Sequence, residues 1–519
     1  MRSSRVTVSV LAIFAVGLLS TSAMARHLSP LPSRHGWDAN AKHYTAPGGV
    51  GGTWQGLANA FPGSGFPDTA QVMTDGTVMM HDGCTTDWYK LTPDNTGSYH
   101  NGTWSKAASM PSGDSPLYFS SAVLPDGKFI VEGGEYINCN AVWTNKGAIY
   151  DPVANTWTNV TPPSGWANIG DAQSVVLNSG TYYQADALNT ASAYAAVSGT
   201  TVTWTTPTTG KADRYDEEGW TTLPDNRIIT VDANRDLTGA GNDVEFFNPT
   251  TLTWTTASEK TPVLLVDSGS HELGPAPLLP NGLVYQIGAT AHNAIYDNST
   301  GHWTAGPDTL NIGGQLQSAD GPAVVMPNGT ILEQVSPGVF NAPSHFVEVT
   351  VNADKTVSQV QVSEPSSAAS QSSYEGRLAV LPTGQVLWSS DVGDVQIYTP
   401  STLKGAKGSI PKIKSGKTSL TVGSKNNKFS GLGFNGKTFG GYYGDDAQMA
   451  TNFPLVRFTN NSSHHVCYAR THNFSKMGID DGTKTAAKFD IPASCETGAS
   501  TMEAVVNGIP SKGKAVTLN

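Results

Sequence analysis

The chain has 519 residues, only 14% of them charged, and a formal net charge of −11. This negative balance argues against nucleic acid or an anionic membrane as a partner. Abundant glycine (55 residues) and tryptophan (12 residues), without long Leu/Glu/Lys helical patterns, favours an all-β protein.

The N-terminus has the pattern of an export signal. Arg2 and Arg5 precede an apolar run over residues 6–19, and Ala-Met-Ala at residues 23–25 forms a cleavage site. The run is too short for an easy transmembrane span, and no other long apolar stretch follows. We therefore predict a signal peptide over residues 1–25 and a secreted protein, extracellular or periplasmic, without a membrane span.

A short turn motif recurs seven times, at intervals of 46 to 56 residues. Its copies are MTDG (73–76), LPDG (124–127), LNSG (177–180), LPDN (223–226), LPNG (279–282), MPNG (326–329) and LPTG (381–384). Asp-Gly or Asn-Gly between apolar runs is a strong hairpin signal, because these residues accept positive φ. A period near 50 suits four-stranded Kelch-type blades. The repeat predicts a seven-bladed β-propeller over residues 26–403.

The last blade lacks its outer strand. Other blades have an outer strand that carries a tryptophan, as at Trp157, Trp254 and Trp303, but none follows Tyr398. The segment near residues 51–57 resembles the missing strand. We expect it to close the ring, which removes an exposed edge.

The pattern changes after the last blade. Residues 404–417 are rich in Lys, Gly and Ser and are predicted to be a linker. Residues 418–519 show alternating short strands, typical of a β-sandwich of immunoglobulin size.

Four cysteines in an exported chain allow two disulfides in three pairings. Cys467 and Cys495 both lie in the C-terminal region, and Cys84 and Cys139 both follow the second strand of adjacent blades. These two pairs are favoured, while a shuffled pairing stays open.

Polar residues recur where the innermost strands begin. Counting six residues back from each turn motif gives Pro67, Tyr118, Asp171, Glu217, Leu273, Asp320 and Glu375, with Asp68, Glu218, Glu272 and Tyr374 beside them. Converging carboxylates either stay protonated or share a cation; alternatively, each bonds a free backbone N–H. The ring predicts a ligand or metal site at one end of the propeller axis. Arg235, on a loop after a blade strand, could bind sugar hydroxyls or be solvated.

Several motifs resemble the galactose oxidase and glyoxal oxidase family of copper-radical oxidases. They are LYFSSA (117–122) before LPDG, followed by Gly133-Gly134, and SYEG (373–376) before LPTG. GDDAQMATNFPLVRFT (444–459) and ARTHNFSKMGI (469–479) look like that family's C-terminal early-set domain. The resemblance covers nearly the whole mature chain, and the C-terminal motif is its most specific part.

The resemblance implies one copper near the axis, held by two tyrosines and two histidines, and oxidation of an alcohol or aldehyde with release of hydrogen peroxide. Tyr118 matches the tyrosine that carries the radical and a thioether to cysteine. Tyr374 matches the second tyrosine, the proton acceptor, and His472 the histidine that the C-terminal domain delivers into the channel. Tyr136 stands where a ring stacks over the modified tyrosine.

Two positions depart from the family pattern. Glu375 stands where the second histidine is expected, and no cysteine lies near Pro67 or Asp68, so a Tyr–Cys thioether is not expected. A set of Tyr118, Tyr374, Glu375 and His472 is rich in oxygen, and it suits iron, manganese or calcium as well as copper. The other residues expected around the metal or substrate are Tyr136, Asp68, Asp171, Glu217, Asp320 and Arg235.

Three functions follow as hypotheses. The first is a secreted metal-dependent oxidoreductase acting on alcohols, aldehydes or carbohydrates. The alternative is a non-catalytic carbohydrate- or surface-binding propeller that has lost the copper-radical cofactor. The third is a hydrolase or lyase with paired acids such as Glu217 and Glu375. In each case we expect a monomer with a small-molecule or carbohydrate ligand and no nucleic acid.

Overall fold

The computed structural model describes residues 51–205, 208–234, 242–444 and 449–519. The predicted signal peptide and Arg235 lie outside the described residues. Within these ranges, no helix combines the length and apolar character needed to cross a bilayer. The secondary structure of these residues is almost wholly β, with two short 3₁₀ helices at Ser366–Ser370 and Ser373–Glu375.

In the described part of the chain, a small three-stranded sheet (Pro116–Leu117, Tyr136–Ile137 and Asn140–Ala141) accompanies the seven antiparallel sheets that form the blades of the propeller. Its strands are β1 (Thr53–Gly56), β2 (Pro67–Val72), β3 (Val78–Asp82), β4 (Trp88–Thr92), β5 (Thr103–Lys106), β6 (Pro116–Leu117), β7 (Ser120–Val123), β8 (Phe129–Glu132), β9 (Tyr136–Ile137), β10 (Asn140–Ala141), β11 (Gly147–Asp151), β12 (Thr156–Val160), β13 (Ser174–Val176), β14 (Tyr182–Ala185), β15 (Ser192–Ser198), β16 (Thr201–Thr205), β17 (Thr221–Thr222), β18 (Ile228–Val231), β19 (Val244–Asn248), β20 (Thr253–Thr256), β21 (Leu283–Ile287), β22 (Asn293–Asp297), β23 (His302–Ala305), β24 (Ala323–Val325), β25 (Ile331–Val335), β26 (His345–Val351), β27 (Val357–Gln361), β28 (Gly376–Val380), β29 (Val386–Ser390) and β30 (Val395–Thr399).

From the axis outward, the blades are β2-β3-β4-β5, β7-β8-β11-β12, β13-β14-β15-β16, β17-β18-β19-β20, β21-β22-β23, β24-β25-β26-β27 and β28-β29-β30-β1. In the fifth blade, the innermost strand is reduced to a bridge between Leu278 and Val284. The predicted fold class, a seven-bladed Kelch-type propeller followed by a β-sandwich, is confirmed.

The recurring turn motif joins the two inner strands of each blade. In all seven copies, the N–H of the fourth residue donates to the carbonyl of the first, at 2.8 to 3.0 Å. The fourth residue always has a positive φ, 79° at Gly76 and 70° at Asn226. Glycine and asparagine adopt this conformation at low cost, which is why the motif ends in one or the other.

The first described strand completes the last blade. β1 pairs antiparallel with β30, and Trp54 lies opposite Tyr398. The ring of Trp54 packs 4.7 Å from Phe346 and 4.9 Å from Tyr398. The circle of blades is therefore closed by the pairing of β1 with β30, which covers an edge of the last blade.

The C-terminal domain is one curled sheet in the order β31-β33-β37-β36-β35-β38-β40-β32, with β39 paired to β38. Its strands, with β34 between them in the chain, are β31 (Lys412–Gly416), β32 (Ser419–Leu420), β33 (Asn427–Leu432), β34 (Gly441–Tyr442), β35 (Leu455–Asn460), β36 (Val466–His472), β37 (Thr485–Asp490), β38 (Gly498–Val506), β39 (Ile509–Pro510) and β40 (Lys514–Leu518). The sheet begins inside the segment 404–417 that composition predicts as a linker. A polar edge strand such as β31 lacks the apolar alternation that marks buried strands, so composition alone conceals it.

This domain packs against the end of the propeller that carries the seven turn motifs, here called the turn face. Thr471 N donates to Thr74 O at 3.0 Å, and Phe474 N donates to Pro125 O at 3.0 Å. The starts of the inner strands form the opposite end, here called the channel mouth. Six residues at about 3.3 Å each separate Thr74 from Asp68, or roughly 20 Å.

Glu333, on β25, supplies a test of the blade packing. It is 1% exposed, and burial raises its pKa from an ordinary 4.5 to about 8. The folded protein therefore holds this proton more tightly than the unfolded chain does. As the pH rises from the unfolded-state pKa to the folded-state pKa, the free energy of unfolding falls. Glu333→Gln, neutral at every pH, should match the parent near pH 4.5 and exceed its unfolding free energy by on the order of a few kcal/mol at pH 8. Denaturant titrations at both pH values measure this, with Glu496→Gln as the exposed control. An advantage independent of pH would contradict the assignment.

Candidate metal and ligand site

The channel mouth is built from residues with unusual backbone conformations. The residue six positions before the turn motif, near the start of the inner strand, is left-handed in three blades: Tyr118 has a φ of 51°, Glu217 of 61° and Asp320 of 51°. Such a conformation costs a residue with a side chain roughly 1–2 kcal/mol. Strain of this kind clusters at ligand-binding and catalytic sites. Its recurrence at one point of the repeat therefore indicates a functional end of the propeller.

Acidic side chains from neighbouring blades meet at this end in two groups that share Glu217. Asp171, Asp216 and Glu217 each offer a carboxylate oxygen within 4.8 Å of the other two, and so do Glu217, Glu272 and Asp320. The sequence-predicted residues Asp171, Glu217 and Asp320 are thus brought together. We call these five residues the acid cluster.

The electrostatics of the acid cluster disfavour a full set of charged carboxylates. Burial raises the pKa of Glu217 well above its ordinary value, and Asp320 and Asp216 raise it further. Glu135 faces the same group: burial raises its pKa, and Asp171 and Glu217 add to the effect. One cation is near, because Arg214 Nη2 lies 2.9 Å from Asp216 Oδ2. Converging carboxylates of this kind bind protons or share a metal cation.

Aromatic rings border the acids. The Tyr118 ring lies 5.8 Å from that of Tyr136 and 6.5 Å from that of Tyr374, both edge to face. Burial raises the pKa of Tyr136, as do the nearby carboxylates of Glu135 and others of the acid cluster. Phe340, 49% exposed, contacts Tyr374 edge-on at 5.2 Å. The mouth therefore combines oxygen donors with an apolar rim.

Asp68 has a different role from the acid cluster. It is buried, with Arg377 Nη2 at 3.3 Å and His81 Nδ1 at 3.8 Å from its oxygens. Burial opposes ionisation, but Arg377 and His81 together hold the pKa of Asp68 below its ordinary value. The Arg377 guanidinium in turn lies 5.4 Å from the centre of the Tyr118 ring and 4.1 Å from that of Tyr443. Asp68 therefore positions a cation against the tyrosines.

Glu375, predicted as a metal ligand, accepts a hydrogen bond from the backbone. Its Oε2 accepts the N–H of Ser372 at 2.6 Å, in a reciprocal capping box around the helix Ser373–Glu375. The side chain is folded back on its own turn, because the N–H groups at a helix start need acceptors. Glu375 is not part of the acid cluster.

His472, the other non-tyrosine ligand predicted, lies on the turn face. Its Nε2 lies 3.1 Å from Asp490 Oδ1, and its Nδ1 bonds Asn473. The neighbouring Thr471 is fixed to Thr74, which leaves His472 at the far end of the inner strands from the mouth. The four-ligand set with Tyr118, Tyr374 and Glu375 is therefore not assembled.

A different C-terminal segment reaches the mouth. β34 pairs with β24 as an extra inner strand of the sixth blade, and the Tyr443 hydroxyl donates to Tyr374 O at 2.7 Å. A side chain on Gly444 would collide with Asp320 Oδ1, so only glycine allows this approach. Sequence reasoning missed this segment, as well as Glu135 and Arg377. The Gly-Gly-Tyr-Tyr-Gly run at 440–444 was the available signal.

The cysteines form the two favoured disulfides, Cys84–Cys139 and Cys467–Cys495, and none is free among the described residues. The first disulfide packs in a small cluster with Tyr118 and Phe66. Phe66 thus occupies the neighbourhood of Pro67, where the family resemblance expects the thioether cysteine.

These observations decide which metal chemistry the residues fit. The described mouth has no free cysteine, and His472 and Glu375 are held elsewhere. The residues therefore do not fit a copper centre with two imidazoles and a thioether-modified tyrosine. Carboxylate oxygens are instead the donors preferred by calcium and manganese.

No protein-family model matches the chain. In sequence it is similar to the Kelch-like protein terF of Aspergillus terreus, 27% identical over 262 residues, which are 44% of this chain and 53% of that protein. The alignment thus spans about half of the relative's length.

Among solved structures, the chain is similar to a fungal alcohol oxidase of the AA5 family in complex with copper, with a TM-score of 0.41, 16% identity and coverage of 87% and 85% of the two chains. YCF48 bound to D1 peptide gives a TM-score of 0.44, 11% identity and coverage of 70% and 98%. YjhT gives a TM-score of 0.39, 16% identity and coverage of 59% and 98%. Together with the blade topology, the Kelch-like relative supports a Kelch-type propeller.

Proposed function

We propose that this protein is an exported propeller that holds a hard metal ion in the acid cluster and uses it to bind hydroxyl-bearing ligands, carbohydrates above all. The observation that carries the proposal is the sharing of Glu217 between two carboxylate groups at the channel mouth. Each group offers three carboxylates to one ion, with Glu217 available to both groups, and calcium and manganese both accept such oxygen-rich coordination.

Hydroxyl-bearing ligands follow from what surrounds the ion. A cation held by carboxylates commonly completes its coordination with water or other neutral oxygens, and sugar hydroxyls can replace these waters. Ionised carboxylates also accept hydrogen bonds from hydroxyl groups. The half-exposed ring of Phe340 beside Tyr374 offers the C–H face of a sugar an apolar contact.

Oxidation of the bound alcohol is the second candidate, and Tyr118 favours it. Its ring lies 6.5 Å from Tyr374, and its hydroxyl is buried without a hydrogen-bond partner among the described residues. A phenol so placed can exchange a proton with a substrate hydroxyl, while a redox-active metal such as manganese or iron would supply the electron chemistry.

Export is part of the same proposal. Two disulfides suit an oxidising compartment, in agreement with the signal peptide that the sequence predicts.

The experiment measures ion and ligand together. Chelator-treated protein should bind Mn²⁺ or Ca²⁺ in calorimetry, and a glycan array should give signals with the ion that EDTA abolishes. Peroxide release from alcohols, aldehydes or sugars by protein loaded with manganese, iron or copper would favour oxidation over binding alone. Failure to take up any ion, or binding of neutral glycans that is indifferent to EDTA, would contradict the proposal.

A further inference from the structure

The C-terminal domain carries the opposite charge from the propeller. Residues 404–519 contain 15 Lys and Arg against 7 Asp and Glu, a formal net charge of +8, whereas residues 1–403 carry −19. The overall charge of −11 conceals this division. A binding partner meets the local charge of the domain that it contacts, so the charge of each domain predicts partners better than the net charge of the whole chain.

Ion pairs within the domain leave a surplus of lysines. Each of its described acids has a basic partner: Asp480 with Lys437, Asp481 with Lys476, Asp490 with Arg470, Glu496 with His465, and Glu503 with Arg457. The remaining lysines include four on adjacent strands with no ion pair within 4.0 Å among residues 51–205, 208–234, 242–444 and 449–519. These four, here called the lysine face, are Lys412, Lys414, Lys428 and Lys488.

The strand register places the lysine face on the outer side of the sheet. On β33, exposed Lys428 precedes buried Phe429, and Lys428 lies directly opposite Lys488 of β37. Lys412 of β31 lies opposite Leu432, four residues from Lys428, or about 13 Å along the strand. Lys414 is exposed at the bulge of β31.

Small hydroxyl side chains lie between the two ends of this face. The hydroxyls of Ser415 and Ser430, on β31 and β33, bond each other at 2.6 Å on the same side of the sheet. The lysines therefore border a strip of short polar side chains, along which an extended polymer can lie.

Like charges directly opposite each other on neighbouring strands destabilise a sheet, so the Lys428–Lys488 pair costs the free protein stability. A bound polyanion removes that cost. We propose that the lysine face binds an anionic polysaccharide through its carboxylate or sulfate groups.

The composition of the face favours a polysaccharide over other polyanions. Ammonium groups contact single anionic oxygens as point charges, whereas nucleic-acid recognition adds arginine forks and stacking aromatic rings to its lysine contacts. Membrane-surface binding gains most of its strength when apolar side chains insert beside the charges. Arg470, on the same face of the neighbouring strand β36, is paired with Asp490, and the lysines themselves bring no aromatic ring and no aliphatic group other than their own stems.

Heparin, which is sulfated, and polygalacturonate, which is carboxylated, test the inference on the full mature protein. The parent should bind at least one of them at low salt and lose affinity as salt rises. Lys428→Glu with Lys488→Glu should weaken binding at least tenfold. Lys90→Glu, on β4 of the propeller and also without an ion pair among the described residues, should leave binding unchanged.

A second variant, Lys412→Glu with Lys414→Glu on the edge strand, keeps the test open if the first does not fold, and should weaken binding in the same way. Absence of polysaccharide binding at low salt would overturn the inference. So would an equal loss in Lys90→Glu, or equally tight binding of duplex DNA or phosphatidylserine vesicles. Manganese uptake at the channel mouth should be unaffected in either variant, which separates this surface from the proposed function.

Discussion

Glu217→Gln is expected to weaken the binding of Mn²⁺ and Ca²⁺ by at least tenfold, about 1.4 kcal/mol or more. Glu217 is the one residue that belongs to both carboxylate groups of the acid cluster. Its loss therefore removes a ligand whichever group holds the ion. Glutamine keeps the shape and one neutral oxygen, but a hard cation prefers charged carboxylates. Calorimetric titration of chelator-treated protein measures the change.

The same substitution should make the metal-free protein more stable. Glu217 is buried beside Asp216 and Asp320, and removal of one of several converging carboxylates relieves their repulsion. Denaturant titration in EDTA should therefore give an equal or higher unfolding free energy for the variant. Opposite signs for stability and affinity distinguish a ligand from a residue that merely supports the fold.

Glu259→Gln is the matched control, because Glu259 is 39% exposed and pairs with His302 at 2.8 Å on the propeller surface. It should change neither quantity measurably. If Glu217→Gln bound manganese as tightly as the parent does, the acid cluster would not be the metal site. If it lost both affinity and stability, Glu217 would be a structural acid.

The propeller was predictable because its turns are local. Each blade needs a left-handed residue between its inner strands, and that need is visible in the sequence as Gly76 or Asn226 at a fixed place in the repeat. The same periodicity identified the inner strand starts, and so Asp171, Glu217 and Asp320 could be named in advance. The disulfide between Cys84 and Cys139 could be favoured because the two cysteines occupy equivalent places in adjacent blades, and the structure confirms it.

The rest of the site depends on contacts that no repeat encodes. The C-terminal domain could in principle send either of two segments into the channel, and a motif match favoured the one with His472. The structure fixes that segment at the turn face through Thr471, and β34 reaches the mouth instead. Glu375 was predicted as a ligand, whereas the Ser-x-x-Glu spacing of Ser372 and Glu375 is the sequence pattern of the capping box that the structure shows.

Lys211→Met is expected to cost the propeller about 3–5 kcal/mol of unfolding free energy, because it removes the cation from a buried group of acids. This group, Asp213, Glu218, Asp232 and Glu245, has the geometry of a metal site. Here, however, the chain supplies its own cation: Lys211 Nζ lies 2.9 Å from both Asp213 and Glu218 and 2.5 Å from Glu245. Burial opposes the charge on Lys211, but Glu218 and Asp213 hold its pKa above the ordinary value.

Methionine preserves the length and apolar stem of Lys211, so the packing around it changes little. It removes the positive charge, however, and leaves the negative charges of the buried acids without a partner. Lys106→Met, which breaks an exposed pair with Asp87, should leave the unfolding free energy nearly unchanged, because water screens an exposed ion pair. Denaturant titration of the two variants and the parent gives the comparison. A loss of less than 1 kcal/mol for Lys211→Met would mean that these acids are neutral without the lysine. A large loss that Mn²⁺ reverses would show that a metal can replace the ammonium, and that acid groups in this propeller are neutralised by whichever cation the blade provides or admits.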